Sequence, residues 1–113
     1  MRTLNDYFIT GVIPNVSAGS STFVAIPDGG KIRKIITHNA VVTTGTAAIS
    51  FEIGGVAIGG SAISHTASGS ANRVITRSPT SANDVLEDGA VELITNGGST
   101  NTSAMAVTFI IRR

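Results

Sequence analysis

The sequence lacks cysteine and tryptophan altogether, and among its 113 residues it has one tyrosine and four phenylalanines. Without cysteine the chain can form neither disulfide bonds nor thiolate metal sites. With so few aromatic residues it also lacks the stacking surfaces on which nucleic-acid readers depend. No apolar run approaches the roughly 20 residues of a membrane helix, and no apolar segment of a secretory signal follows Arg2. We therefore expect a soluble protein made in the cytoplasm.

Charged residues are also scarce. They make up 13% of the chain, against about 25% in an average soluble domain. The formal net charge of +1 gives little long-range attraction for nucleic acid or for an anionic membrane. A weakly charged surface loses little hydration free energy when a partner covers it. The composition therefore fits a protein that binds or builds, and it fits an ordinary threonine-rich β surface equally well.

Apolar and polar residues alternate with a period of two, which predicts β-strands. In the segment 47–53, one face of the predicted strand carries Ala47, Ile49, Phe51 and Ile53. In the segment 104–111, one face of another predicted strand carries Met105, Val107, Phe109 and Ile111. We expect both faces to point into the core, with Phe51 and Phe109 as its aromatic members.

Further strands are predicted at 7–13, 21–26, 31–42 and 73–77 and around Val91 and Leu93. The spacing of Ile32, Ile35 and Ile36 breaks strict alternation and predicts a β-bulge. Glycine-rich turns separate most strands, and one helical turn is predicted within 80–88. The chain is thus predicted to be an all-β, single-domain antiparallel β-sandwich of jelly-roll-like topology, with another antiparallel sandwich as the open alternative.

No pattern in the sequence indicates catalysis, a metal ion or a cofactor. His38 and His65 stand apart from each other and from acidic residues, so both are predicted to be surface or strand-face histidines. There is no Gly-x-Ser-x-Gly turn. The segment Gly29-Gly30-Lys31 lacks the spacing of a phosphate-binding loop. We therefore expect a protein that is not an enzyme, with no cofactor and no metal site.

Charges of both signs cluster along the chain. The basic residues are Lys31, Arg33, Lys34, Arg73 and Arg77, and the acidic ones are Asp84, Glu87, Asp88 and Glu92. Such clusters indicate either simple solvation or docking to a complementary surface.

The order of strand and turn signatures carries a resemblance. The most telling pieces are Ile26-Pro27-Asp28-Gly29-Gly30, Phe51-Glu52-Ile53-Gly54-Gly55 and the run 83–97. Over residues 3–111 the chain resembles the small head proteins of tailed bacteriophages, the capsid decoration or cement proteins. None of these pieces is a site motif, so they bear on the fold more than on the role.

The resemblance implies a β-sandwich that binds the outside of the phage head and bridges major capsid subunits. It implies the major capsid protein as partner, self-association as a dimer or trimer on the capsid, and a place on the outer surface of the virion. Residues 1–6 would form an N-terminal arm and residues 7–113 the sandwich. The expected capsid-binding residues are Arg2, Thr3, Leu4, Asn5, Asp6 and Tyr7, with the loops 16–21 and 97–103 as alternative contacts. The alternative function is a glycan- or host-surface-binding β module of a virion.

Overall fold

The computed structural model describes residues 6–39, 45–65, 74–100 and 102–113. Within them the chain forms strands and no helix, and hence no helix that could cross a membrane. The strands are β1 (Asp6–Ile13), β2 (Gly19–Ile26), β3 (Gly30–Asn39), β4 (Ala47–Ile53), β5 (Val56–Ala57), β6 (Ile63–His65), β7 (Val74–Arg77), β8 (Asp84–Val85), β9 (Gly89–Asn96) and β10 (Met105–Arg112). The predicted all-β class is confirmed.

The strands form two antiparallel sheets of five. Sheet A has the order β1-β10-β3-β7, with β8 also pairing with β3, and sheet B has the order β2-β9-β4-β5, with β6 also pairing with β4. In each sheet a late strand lies between two early ones: β10 lies between β1 and β3, and β9 lies between β2 and β4. Consecutive strands also cross repeatedly from one sheet to the other. This interleaved two-sheet order is that of a jelly roll.

Alternation along the strands determines which side chains the sheets enclose. In β10 the buried residues are Met105, Val107, Phe109 and Ile111, and in β4 they are Ala47, Ile49 and Phe51. The period-two pattern predicted these residues and also Ile53, which is partly buried and packs against the core. The apolar residues of one face of each sheet therefore build the core between the layers.

Phe51 and Phe109 meet at the centre of this core. Phe51 belongs to sheet B and Phe109 to sheet A, and both side chains are essentially inaccessible to solvent. Their ring centroids lie 5.9 Å apart with an interplanar angle of 89°. In this edge-to-face arrangement the positive rim of one ring meets the negative face of the other, which adds to the free energy gained from burial.

The bulge predicted in β3 is present. Ile110 of β10 pairs with Lys34, whereas the next residue, Ile111, pairs with Ile32, so that Arg33 is the extra residue. Ile32 and Ile35 are both buried, and Arg33 and Lys34 between them are both exposed. The extra residue thus keeps both isoleucines in the core despite their spacing of three.

The predicted helical turn within 80–88 is wrong, because this segment runs beside β3 and contains β8. The backbone amide of Ile32 donates a hydrogen bond to the Asn83 carbonyl oxygen over 2.9 Å, and Asn83 Nδ2 donates to the Ile32 carbonyl oxygen over 2.7 Å. Asn83 is buried. These bonds fix an extended segment that local propensity alone does not specify.

Substitution of either core phenylalanine by alanine should lower the free energy of unfolding by about 3–5 kcal/mol, because it removes the ring contact and leaves a cavity. Urea denaturation of the Phe51→Ala and Phe109→Ala variants measures this loss. Leu86→Ala is the control, since Leu86 is 81% exposed and should lose less than about 1 kcal/mol. A similarly small loss for the phenylalanine variants would contradict the core assignment.

Gly30→Ala, at the end of the turn between β2 and β3, should lower the free energy of unfolding by more than about 2 kcal/mol. Gly30 has a φ of 129°, and a Cβ there would lie 2.5 Å from the Arg112 carbonyl oxygen. Gly54→Ala is the matched control: Gly54 has a φ of 59° but no atom within 4 Å of an added Cβ, so that only backbone strain of about 1 kcal/mol applies. Equal losses of unfolding free energy at the two positions would show that the close approach to β10 has no energetic effect.

Candidate interaction surface

The outer face of sheet A is a broad surface composed mainly of apolar and threonine side chains. The strand register places four rows across it, because directly paired residues point to the same side. One row consists of the ion-paired residues Asp6, Arg112, Lys31 and Asp84, and the other three hold the apolar and threonine side chains. Of these three, the first row is Phe8, Ile110 and Lys34; the second is Thr10, Thr108, Ile36 and Thr76; the third is Val12, Ala106, His38 and Val74.

Large apolar side chains on this face are open to solvent. Phe8 is 47% exposed, Val12 is 54% exposed and Val74 is 56% exposed. In the middle row the hydroxyl groups of Thr10 and Thr108 lie 3.0 Å apart and form a hydrogen bond across the two strands. A surface of this composition can be covered by another protein without burying many full charges.

The bulge places two consecutive cations on the same face. Arg33 and Lys34 both point outward, because the residues on either side of them, Ile32 and Ile35, both point into the core. The ion pairs of the described residues are Lys31 with Asp84, Arg112 with Asp6, and Arg113 with Asp28. These pairs leave the positive charges of Arg33 and Lys34 available to a partner.

The outer face of sheet B has the opposite sign. Glu52 of β4 lies directly across from Glu92 of β9, and Phe23 of β2 lies on the other side of Glu92. Like charges in this position repel each other. None of the ion pairs in the described segments involves either glutamate. The two broad faces of the sandwich therefore differ in charge, with cations on sheet A and carboxylates on sheet B.

Four of the predicted capsid-binding residues, Arg2, Thr3, Leu4 and Asn5, lie outside the described residues. Asp6, which the sequence placed in the arm, is the first residue of β1. Its side chain is only 4% exposed, and Arg112 Nε donates to Asp6 Oδ1 over 2.9 Å. Asp6 therefore ties β1 to β10 and belongs to the sheet.

Tyr7 is also built into the sandwich. Its ring packs against the core, and its hydroxyl group donates a hydrogen bond to the Gly29 carbonyl oxygen over 2.7 Å. The Arg113 guanidinium lies 6.0 Å from the ring centroid. Burial, with a smaller contribution from the Asp28 carboxylate, raises the pKa of the Tyr7 phenol above its ordinary value. The Tyr7 hydroxyl group therefore binds the turn between β2 and β3 of its own chain.

The two loops that the sequence offered as alternative contacts pack against each other. Val16 is buried, and its amide donates to the Ser103 carbonyl oxygen over 2.9 Å. Thr95 Oγ1 donates to the Ala18 carbonyl oxygen over 2.6 Å, and Ser99 is buried. Much of this end of the sandwich is therefore occupied by contacts within the chain.

The two histidines have different environments and do not form a cluster. His38 is exposed on the outer face of sheet A, as predicted. His65 lies on a strand face, as the prediction also allowed, but on the inner face of β6. It is fully buried, and its Nε2 atom is 2.8 Å from Thr37 Oγ1 of the opposite sheet. Across the described segments no three His, Cys, Asp or Glu side chains are grouped so that they could hold a metal ion.

The predicted charge clusters are divided by the fold. Lys31 pairs with Asp84, Arg77 donates to the carbonyl oxygens of Ala62 and Thr76, and Arg73 lies outside the described residues. Lys31 shares the outer face of sheet A with its partner Asp84, and Arg33 and Lys34 are the members of the basic set on this face that no described carboxylate pairs. Sequence reasoning assigned no role to Phe8, Val12 and Val74, whose convergence depends on the order of strands in the sheet.

No family model matches the sequence, and no curated protein matches it. Among solved structures, the chain is similar to the one described as the crystal structure of FlhE. The TM-score is 0.50 and the sequence identity 8%, with 96% of each chain covered. At this identity the similarity concerns the fold alone.

Asp6→Asn should lower the free energy of unfolding by about 1–3 kcal/mol, because it weakens a largely buried, charge-assisted contact with Arg112. Asp84→Asn is the control, since the Asp84 and Lys31 side chains are 75% and 57% exposed and such pairs contribute little. Chemical denaturation of both variants compares the two sites. If Asp6→Asn is as stable as Asp84→Asn, Asp6 does not anchor β1.

Proposed function

We propose that this protein is a decoration protein of a tailed-phage capsid. It binds the outside of the head and bridges neighbouring major capsid subunits without catalysing a reaction. The observation that supports this proposal best is the outer face of sheet A, a broad surface of apolar and threonine side chains with cations at one edge. The resemblance of the chain's strand and turn signatures to phage head proteins supplies the partner and the location on the virion surface.

The dimensions of the sandwich suit contact through a broad face. The molecule extends 38 × 30 × 20 Å along its principal axes, and the two layers of a sandwich are about 10 Å apart. A broad face is thus large enough to supply the roughly 800 Å² per partner that a stable interface buries. On such a face Phe8, Val12 and Val74 provide apolar contact area. Arg33 and Lys34 provide orientation toward carboxylates of the capsid.

The residues before β1 extend this contact. They join the sheet at Asp6, next to the row of Phe8, Ile110 and Lys34. In the proposed complex, Arg2, Thr3, Leu4 and Asn5 contact the capsid surface beside that row. Asp6 contributes by holding the start of β1 in place.

Stabilisation of the shell then follows from binding free energy alone. A protein that binds across the junction of two subunits favours the assembled state by mass action. Many copies at equivalent junctions, each able to self-associate with its neighbours, reinforce the shell collectively. No cofactor or metal ion is needed for this role.

The glycan-binding alternative gains no specific support. The exposed large aromatic side chains of the described residues are Phe8 and Phe23, neither of which has a polar group with which to orient a sugar. The decoration role is therefore the one that we carry forward.

Purified protein should bind expanded, empty phage heads saturably and stoichiometrically in a co-sedimentation assay. The double substitution Arg33→Glu and Lys34→Glu should weaken this binding by about tenfold or more, because it reverses the charge at the edge of the proposed interface. The matched control is Glu52→Lys with Glu92→Lys on the opposite face, which should bind as the original protein does. Failure to bind any capsid state would remove the proposal, and equal weakening by both double variants would remove the assignment to sheet A.

A further inference from the structure

Strand β2 is an edge of sheet B and has none of the usual protection against pairing. Among the described residues its only pairing partner is β9, along its whole length from Gly19 to Ile26. Its eight residues, GSSTFVAI, include no charged residue and no proline. Natural edge strands are usually shortened, charged or interrupted, because a free row of backbone groups can pair with another strand. An uncharged edge of this length is suited to strand addition.

An exposed phenylalanine lies in the middle of this edge. Phe23 is 67% exposed on the outer face of sheet B. Its neighbours on the same face of β2, Ser21 and Ala25, are small and also exposed. The ring therefore has space on both sides along the strand.

The strand is self-complementary. If a two-fold axis passes beside Phe23, perpendicular to the sheet, antiparallel pairing sets Phe23 opposite Phe23 of the second copy and Ser21 opposite Ala25. Directly opposite side chains in such a pair lie about 4.5–5.5 Å apart between Cβ atoms, which brings the two rings into contact. The same axis sets each residue of the edge against an uncharged residue, so that no like charges meet on the paired strands.

The nearest charges are far enough away to permit this arrangement. Glu92 is next to Phe23 in the same row. The two Glu92 residues of a pair would be separated by three strand spacings, about 14 Å. This exceeds the screening length of about 8 Å at physiological ionic strength.

We propose that β2 pairs with β2 of a second copy of this chain, antiparallel about a two-fold axis, and so joins two B sheets into one continuous sheet. The contact is isologous, because each copy contributes the same strand. Two paired edges bury less area than a standard protein interface, so the dimer dissociates on dilution. The contact does not depend on the proposed capsid role and leaves the outer face of sheet A uncovered.

Sedimentation velocity over a series of protein concentrations in the micromolar to millimolar range tests the proposal with the full chain alone. We expect the original protein to shift from monomer to dimer and to go no further. Phe23→Lys should remain monomeric throughout, because it sets two like charges at the axis. Val56→Lys is the control: Val56 is 59% exposed at the opposite edge of sheet B, in the two-residue strand β5, and this variant should dimerise normally. Far-ultraviolet circular dichroism of each variant verifies that it is folded.

A second measurement locates the contact. Because the chain has no cysteine, Phe23→Cys introduces a single thiol at the proposed axis and Val56→Cys introduces one at the control site. Under mild oxidation two Phe23→Cys thiols should join as a disulfide, losing two electrons and two protons to the added oxidant. The Val56→Cys variant should stay largely uncrosslinked. An equimolar mixture of Phe23→Lys and Phe23→Glu should recover the dimer.

Three results would overturn the proposal: a monomer at every concentration, a Phe23→Lys variant that dimerises as the original protein does, or equal cross-linking of the two cysteine variants. A protein that is monomeric alone and yet binds phage heads would overturn the dimer while sustaining the decoration role. A dimer that binds no capsid would do the reverse.

Discussion

The contact between Phe51 and Phe109 is the interaction on which the rest of the structure depends. It joins the central strand β10 of sheet A to β4 of sheet B and helps to set the separation of the two layers. Once these two rings face inward, the two-residue period fixes the orientation of every other residue on both strands. The outward positions, including Thr108 and Ile110, are therefore consequences of the core. The character of the surfaces follows from the same alternation that buries the interior.

The local sequence pattern predicts most of the strands correctly. It fails where contacts with distant segments of the chain determine the conformation. The segment 47–53 is a strand with the predicted inward face, and the broken spacing after Ile32 marks a bulge. The segment 80–88 was predicted to turn as a helix because its own residues favour that. Its conformation is instead set by bonds between Asn83 and Ile32, which are 51 residues apart in the chain. His65 is buried because Thr37 of the other sheet satisfies one of its ring nitrogens, a pairing that neighbouring residues do not reveal.

The candidate surface was predictable in its composition and not in its location. A weakly charged, threonine-rich exterior was expected from the composition. The convergence of Phe8, Val12 and Val74 on one face requires knowledge that β1, β10, β3 and β7 lie side by side. The bulge is the exception, since the spacing of the isoleucines already implies that Arg33 and Lys34 point the same way. The two proposed contacts use separate parts of the molecule, a broad face of sheet A and an edge of sheet B, so one copy can make both at once.

The position of β10 determines when this protein can acquire its structure during synthesis. β10 follows all the other described strands in the chain, yet it lies between β1 and β3, and Arg112 binds Asp6 across a separation of 106 residues. Until β10 leaves the ribosome, sheet A has no interior strand and the inner face of sheet B has no Phe109 to cover Phe51. Folding of the sandwich is therefore delayed until β10 has been made, and it depends on contacts between distant segments, which form slowly. Nascent chains with uncovered apolar strands are prone to associate during that interval, and the cell must restrain that association until the final strand is added.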